Sequence, residues 1–325
     1  MNSREIVRRT LDYDYPERLA CSFRDSDIWC FSCVPKSSRA TDWKEVGGGR
    51  WERTDEWGNT WARVDPTSKG EVVRGVLDEI TDIAGYVFPD YADPANYADA
   101  KKMRDENPGK WIMGMVPGFV FNIARKMRKL ERYLADIMLE PEAMSALHDR
   151  IDVLLEAMIR NCAAIGADAI HIIEDWGTQS QTLVSPELWC AEFFPRFKKL
   201  CGLAHSLGMR VFMHSCGQIG AIIPGLMEAG VDCLQFDQPD LHGIGNLARF
   251  QDSGKITFWC PVDIQKTLQT RDPEIIRSKA YEMTDKLWRG RGGFIAGYYS
   301  DNTSIGLDPS LQEIACEVFA KTVAR

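Results

Sequence analysis

The run Val211-Phe212-Met213-His214-Ser215-Cys216-Gly217 closes an apolar segment with a histidine and a cysteine two positions apart, followed by glycine. On an extended strand, side chains at i and i+2 share a face, so His214 and Cys216 can grip one ion. Imidazole with thiolate suits zinc better than magnesium or calcium, which take all-oxygen shells. Two ligands do not complete a site, and a buried cysteine beside a hydrogen-bonded histidine is the ordinary alternative. What favours the metal is the company these residues keep. Glu174, Asp175, Trp176 and Gln179 follow the apolar run 169–173, and Asp237 and Gln238 follow Cys233 to Phe236. Cys260, Asp263 and Gln265 follow the next run, and Tyr298, Tyr299 and Asp301 the last. A soft ligand, an imidazole and several carboxylates delivered to one rim are what a metal-assisted site requires.

Positioning those groups requires repeated strands that end on one side. Strand-like runs are expected at Ala169 to Ile173, Arg210 to His214, Cys233 to Phe236, Lys255 to Cys260 and Gly293 to Ala296. Helices open between them at Pro186, near Gln218, near Ile244, at Pro273 and at Pro309. Ser185-Pro186-Glu187, Asp272-Pro273-Glu274 and Asp308-Pro309 carry the start signal of a capping side chain, then proline in the first turn. A further helix covers residues 141 to 165. Repeated βα units without a dinucleotide-binding glycine loop favour a closed parallel (β/α)8 barrel, with its chemistry at the C-terminal strand ends, over a doubly wound sheet. Residues 40 to 66, with Trp43, Trp51, Trp57 and Trp61 around Gly47 to Gly49, are expected to form a small β excursion whose aromatics make a minor core rather than a pocket. With no repeat, linker or low-complexity segment, residues 1–325 are expected to form one domain carrying an N-terminal extension or insertion.

A net charge of −8 argues against nucleic-acid and anionic-membrane partners, which need clustered lysine and arginine. The N-terminus lacks the apolar core of a signal peptide, no apolar run reaches membrane-span length, and a cytoplasmic protein is expected. The ten cysteines are scattered, as reduced thiols or ligands would be. Cys30-Phe31-Ser32-Cys33 stands without a second pair and reads as structural.

Asp175-Trp-Gly-Thr-Gln179, Ser185-Pro-Glu-Leu-Trp189, His214-Ser-Cys-Gly217 and Phe258-Trp-Cys-Pro-Val-Asp-Ile-Gln265 resemble the uroporphyrinogen decarboxylase superfamily, chiefly its cobalamin-associated methyltransferase branch. The resemblance runs from about Pro16 to the C-terminus and is most specific over residues 168 to 300. It implies a TIM barrel, zinc held by a His-x-Cys pair plus a later cysteine, and a corrinoid carried by a partner protein. His214 and Cys216 match the pair. The loop that should hold the later cysteine, Gly293 to Gly306, has none, so the third ligand is expected from Cys260 or from an oxygen of Glu174, Asp237 or Tyr298. Pro16 to Phe23 has a single arginine where the decarboxylase itself carries an arginine-rich segment for propionates, which argues against a porphyrinogen substrate.

The implied activity is methyl transfer between a small methylated compound, such as a methoxylated aromatic, and the corrinoid protein. Glu174, Asp175 and Asp237 would then handle protons or orient ligands, while Gln179, Gln238, Asp263, Gln265 and Tyr298 would bind substrate or support the metal. A metal-dependent lyase or hydrolase, or a non-catalytic binding relative, are the competing readings. Asp240-Leu-His242-Gly-Ile-Gly245 matches a cobalt-ligating pattern but falls between a strand and its helix, where a capping turn is the simpler reading. Oligomeric state is left open.

Overall fold

The computed structural model describes residues 1–323 of the chain. Two short strands come first, β1 (Ala20–Cys21) and β2 (Ile28–Ser32), then four strands of an insertion: β3 (Lys44–Gly47), β4 (Arg50–Thr54), β5 (Thr60–Arg63) and β6 (Glu71–Arg74). Six more follow: β7 (Trp111–Val116), β8 (Ala169–Ile173), β9 (Arg210–His214), β10 (Cys233–Gln235), β11 (Thr257–Cys260) and β12 (Phe294–Ala296). The eight strands outside the insertion make one parallel sheet in the order β1-β12-β11-β10-β9-β8-β7-β2. Its two edges meet at Asp27, whose amide donates to the Cys21 carbonyl at 2.9 Å while its carboxylate accepts from the Cys21 amide at 3.0 Å. The sheet thus curls into a TIM-barrel-like fold with helices outside.

Period-two alternation sorts the strand residues into two cores. Ala20, Ile28, Trp111, Met113, Ala169, Phe212, Cys233 and Ile295 fill the lumen, with Ile6, Val7 and Leu11 of helix Ser3–Asp12 packed against them as a plug. The intervening residues, including Ile170, Met213, Phe258 and Cys260, face the helices. His171 and His214 are each two positions beyond a lumen residue, Ala169 and Phe212, and so project inward on the side where the strands end.

The expected start signals are realised. Ser185 accepts from the Leu188 amide at 3.1 Å, Asp272 from the Glu274 amide at 2.9 Å and Asp308 from the Ser310 amide at 2.9 Å. The helix expected near Gln218 starts only at Ile223. Gly217 is left-handed (φ 76°), and Gln218 is held in a turn, donating to the Leu241 carbonyl and accepting from the Gly220 amide. The β excursion is an antiparallel four-stranded sheet reaching to Arg74, longer than the aromatic segment alone suggests. Its register sets Trp51 opposite Arg63 and Arg53 opposite Trp61, so guanidinium groups lie over indole faces. Only part of the expected minor core materialises: Trp57 is buried against Tyr91 and Phe88, whereas Trp61 lines a cavity. No helix among the described residues is long and apolar enough to cross a membrane.

Candidate metal centre at the barrel mouth

Asp175, His214 and Cys216 converge where β8 and β9 end. One ligand atom from each lies within 4.8 Å of the others. His214 Nε2 is 3.3 Å from Cys216 Sγ and 3.4 Å from Asp175 Oδ1. The opposite ring nitrogen, Nδ1, is bonded to Gln235 Oε1 on the neighbouring strand β10. Since an amide oxygen only accepts, Nδ1 carries the proton in that bond, and Nε2 is the nitrogen that faces the thiol and carboxylate and that a metal would take in place of a proton. Gln235 is fixed in turn by donating from Nε2 to Asp237 Oδ1 at 2.8 Å.

Asp175 is held from two sides: Oδ1 accepts from the Cys216 amide at 3.0 Å, and Oδ2 faces Arg125 at 3.3 Å. Burial opposes its charge, but His214, the Cys216 amide and Arg125 outweigh burial and hold the carboxyl well below the usual carboxylate range. Burial likewise works against a charged His214, yet Asp175 and Cys216 prevail and raise it well above its ordinary value. The nitrogen, sulfur and oxygen donors match zinc, and three protein donors leave a coordination position free, as catalytic rather than structural zinc sites do.

The loops after β8 and β9 reach this geometry through two glycines. A Cβ at Gly177 would stand 2.5 Å from the Gly217 carbonyl carbon, and one at Gly217 would stand 2.3 Å from that of Gly177. Only bare backbones come this close, and they are joined by Gly177 N to Cys216 O at 3.2 Å and Gln218 N to Thr178 O at 2.7 Å.

Other expected site residues are placed elsewhere. Cys260 is fully buried on the helix-facing side of β11 beside Phe258, and Trp259 takes the lumen position; the third donor in the cluster is Asp175 instead. Glu174 is also fully buried, accepting from the amides of Phe119, Phe121 and Asn122 at 2.9 to 3.3 Å, so it caps helix Val120–Met127 rather than facing the mouth. Asp263 is buried and ties its loop together by accepting from the amides of Asp240, Gln265 and Lys266. Gln179 and Gln265 are exposed, and Gln238 and Tyr298 are half-buried on the rim. Asp237 reaches the cluster through Gln235. His242 is buried with its ring 4.4 Å from the Phe236 ring at the end of a short turn, and Asp240 binds Thr267 and Lys279; neither caps the following helix Ile244–Ser253, whose N-cap is Gly243 without a side-chain bond, so the expected capping turn is not formed.

Two contributors were missed from the sequence. Gln235 was legible in principle, being the inward residue of the strand beside β9. Arg125 sits on the helix after β7, in the half of the chain where no barrel strand was expected.

A family model described as uroporphyrinogen decarboxylase (URO-D) matches residues 79–323. Among solved structures, a methyltransferase from Methanosarcina mazei is similar at TM-score 0.60 and 13% identity, covering 79% of this chain and 73% of that one. A B12-independent methionine synthase from Shewanella sp. W3-18-1 is more distant, at TM-score 0.46 and 10% identity over 81% of this chain and 71% of that one. No curated protein matches. The family model spans most of the chain: the chain belongs to the uroporphyrinogen decarboxylase (URO-D) family.

Proposed function

We propose that this protein is a zinc-assisted methyltransferase that moves a methyl group between a small methylated compound, a methoxylated aromatic being the favoured class, and the corrinoid of a separate protein. The observation that carries the reading is the meeting of Asp175, His214 and Cys216 at the open end of the barrel, with His214 Nε2 directed at the other two. When bound there, zinc supplies Lewis acidity toward the heteroatom that bears the methyl group.

The chain's own residues do the rest. Gln235 fixes the His214 tautomer and ring plane, and Asp237 fixes Gln235. Arg125 turns Asp175 so that one oxygen faces the cluster. The loop between β5 and β6 of the insertion reaches this rim, where Lys69 Nζ lies 3.1 Å from the Tyr299 hydroxyl. The partner's corrinoid would approach the same end. A porphyrinogen substrate fits poorly: Arg18, the one arginine of the Pro16 to Phe23 segment available for a propionate, already forms a two-pronged pair with Asp27 at 2.6 and 2.7 Å. The Methanosarcina methyltransferase shares the barrel, and at its low identity supports the fold alone.

The test is methyl transfer to free cob(I)alamin, followed by the absorbance change on methylation, with methoxylated aromatic donors and the zinc-loaded protein. Transfer by the parent that disappears in His214→Ala is expected. A zinc-loaded parent that demethylates neither methoxylated aromatics nor methylated amines or thiols would contradict the reading.

A further inference from the structure

Between the insertion sheet and helix Val120–Met127 lies a cavity of about 570 Å³ whose wall includes Trp61, Lys69, Arg125, Lys126, Ile173 and Asp175. It therefore opens beside the candidate metal centre and has the size of a small-molecule site. Among the described residues two of its charged groups stand outside ion pairs, the exposed Glu71 and Lys126. Arg125 pairs with Asp175, Lys69 with Asp301 at 3.7 Å, and Lys129 with Glu131 at 3.1 Å. Lys126, half-buried, forms no ion pair among the described residues, and its ammonium lies 5.6 Å from the Trp61 ring centre.

The acids that Lys126 feels are already engaged. Asp55 accepts four bonds, from the Trp57 and Asn59 amides, the Asn59 side chain and the Trp61 indole at 2.7 to 3.0 Å. Glu174 is taken up by backbone amides and Asp175 by Arg125 and the Cys216 amide. An unpaired ammonium in the wall of a cavity of this size is a seat for an anionic group of a small molecule, which would form a charge-assisted bond with it. Burial, aided by Arg125, pulls the Lys126 pKa down. The bond from Trp61 to Asp55 fixes that indole as a flat wall, and Ile173 and Val72 add apolar surface. The cavity thus presents one unsatisfied cation, a fixed aromatic face and, at one side, the donors of the candidate centre.

We propose that this cavity binds a small aromatic carboxylate, its carboxylate paired with the Lys126 ammonium, its ring against Trp61 and its far end toward Asp175. The assignment of the far end rests on the methyl-transfer reading; the carboxylate site does not.

Calorimetric titration of the full-length protein, metal-free and zinc-loaded, with 3-methoxybenzoate and its neutral isostere 3-methoxybenzamide tests it. The benzoate is expected to bind roughly 10- to 100-fold more tightly than the amide, as a buried charge-assisted bond would give. Lys126→Gln is expected to abolish that preference and Lys126→Arg to keep much of it. Equal binding of the two compounds by the parent, binding of neither in both metal states, or a preference that survives in Lys126→Gln would overturn the proposal. These titrations need no corrinoid or turnover, so their failure would leave the methyl-transfer assay to be judged separately, and the reverse.

Discussion

At the scale of single residues, the candidate centre depends on which nitrogen of His214 is free. The bond from Nδ1 to Gln235 sets that choice, and metal-site partners of this kind are commonly worth 10- to 100-fold in affinity. Gln235→Ala is therefore expected to weaken zinc binding by roughly that factor while circular dichroism shows the fold intact. Glu174 carries a different expectation. Burial pushes it up to about 8 against the pull of the Phe119 and Asn122 amides, and its oxygens serve the start of helix Val120–Met127. Glu174→Gln is expected to lower unfolding stability by about 1–3 kcal/mol in denaturant titrations and to leave zinc per chain unchanged. The histidine and cysteine of the centre were legible because strand period puts them on one face. Cys260 was not placed correctly because a shift of one position on a strand reverses the side chain: Trp259 holds the inward position, and motif order carries no information about that parity.

Among the elements, the two glycine loops after β8 and β9 do most to bring Asp175 to His214. Gly177 does not need a left-handed backbone, so Gly177→Ala tests crowding alone. The added methyl must displace the Gly217 backbone, with an expected loss of roughly 1–3 kcal/mol in stability and of zinc retention, read by thermal melting and metal analysis of the same sample. Unchanged zinc content with a lowered melting temperature would separate packing from site assembly. Strands and proline-started helices of the second half were legible because apolar runs and caps punctuate them. The first half was opaque for physical reasons. β1 has only two residues, β2 follows it without a helix, and the insertion interrupts the βα rhythm before β7. Arg125 and Lys126 lie just beyond that interruption, so the neighbours of the centre were harder to read than its ligands.

For the whole molecule, closure of the barrel leaves buried histidines that must stay neutral. Burial pulls His242 down from 6.5 to about 4. A base depressed in this way stabilises the fold above its unfolded value, and that contribution is lost as the pH falls from about 6.5 toward 4, because only the unfolded chain takes up the proton. Between pH 7 and pH 5 the loss amounts to about 2 kcal/mol, and His242→Gln should show a correspondingly smaller decline in unfolding free energy over that interval. An equal decline in both proteins would remove His242 from the acid response. The parallel barrel was legible at this scale from βα repetition. The cavity between the insertion and the barrel was not, because it forms between segments far apart in sequence.

The most direct measurement is zinc per chain in the purified, zinc-reconstituted parent and in Asp175→Asn, His214→Ala, Cys216→Ser and Cys260→Ser. Near-stoichiometric zinc in the parent and in Cys260→Ser, with marked loss in His214→Ala and Cys216→Ser and weakened retention in Asp175→Asn, is the expected result. No zinc in the reconstituted parent, or retention in Cys216→Ser with loss in Cys260→Ser, would contradict a metal centre built from Asp175, His214 and Cys216.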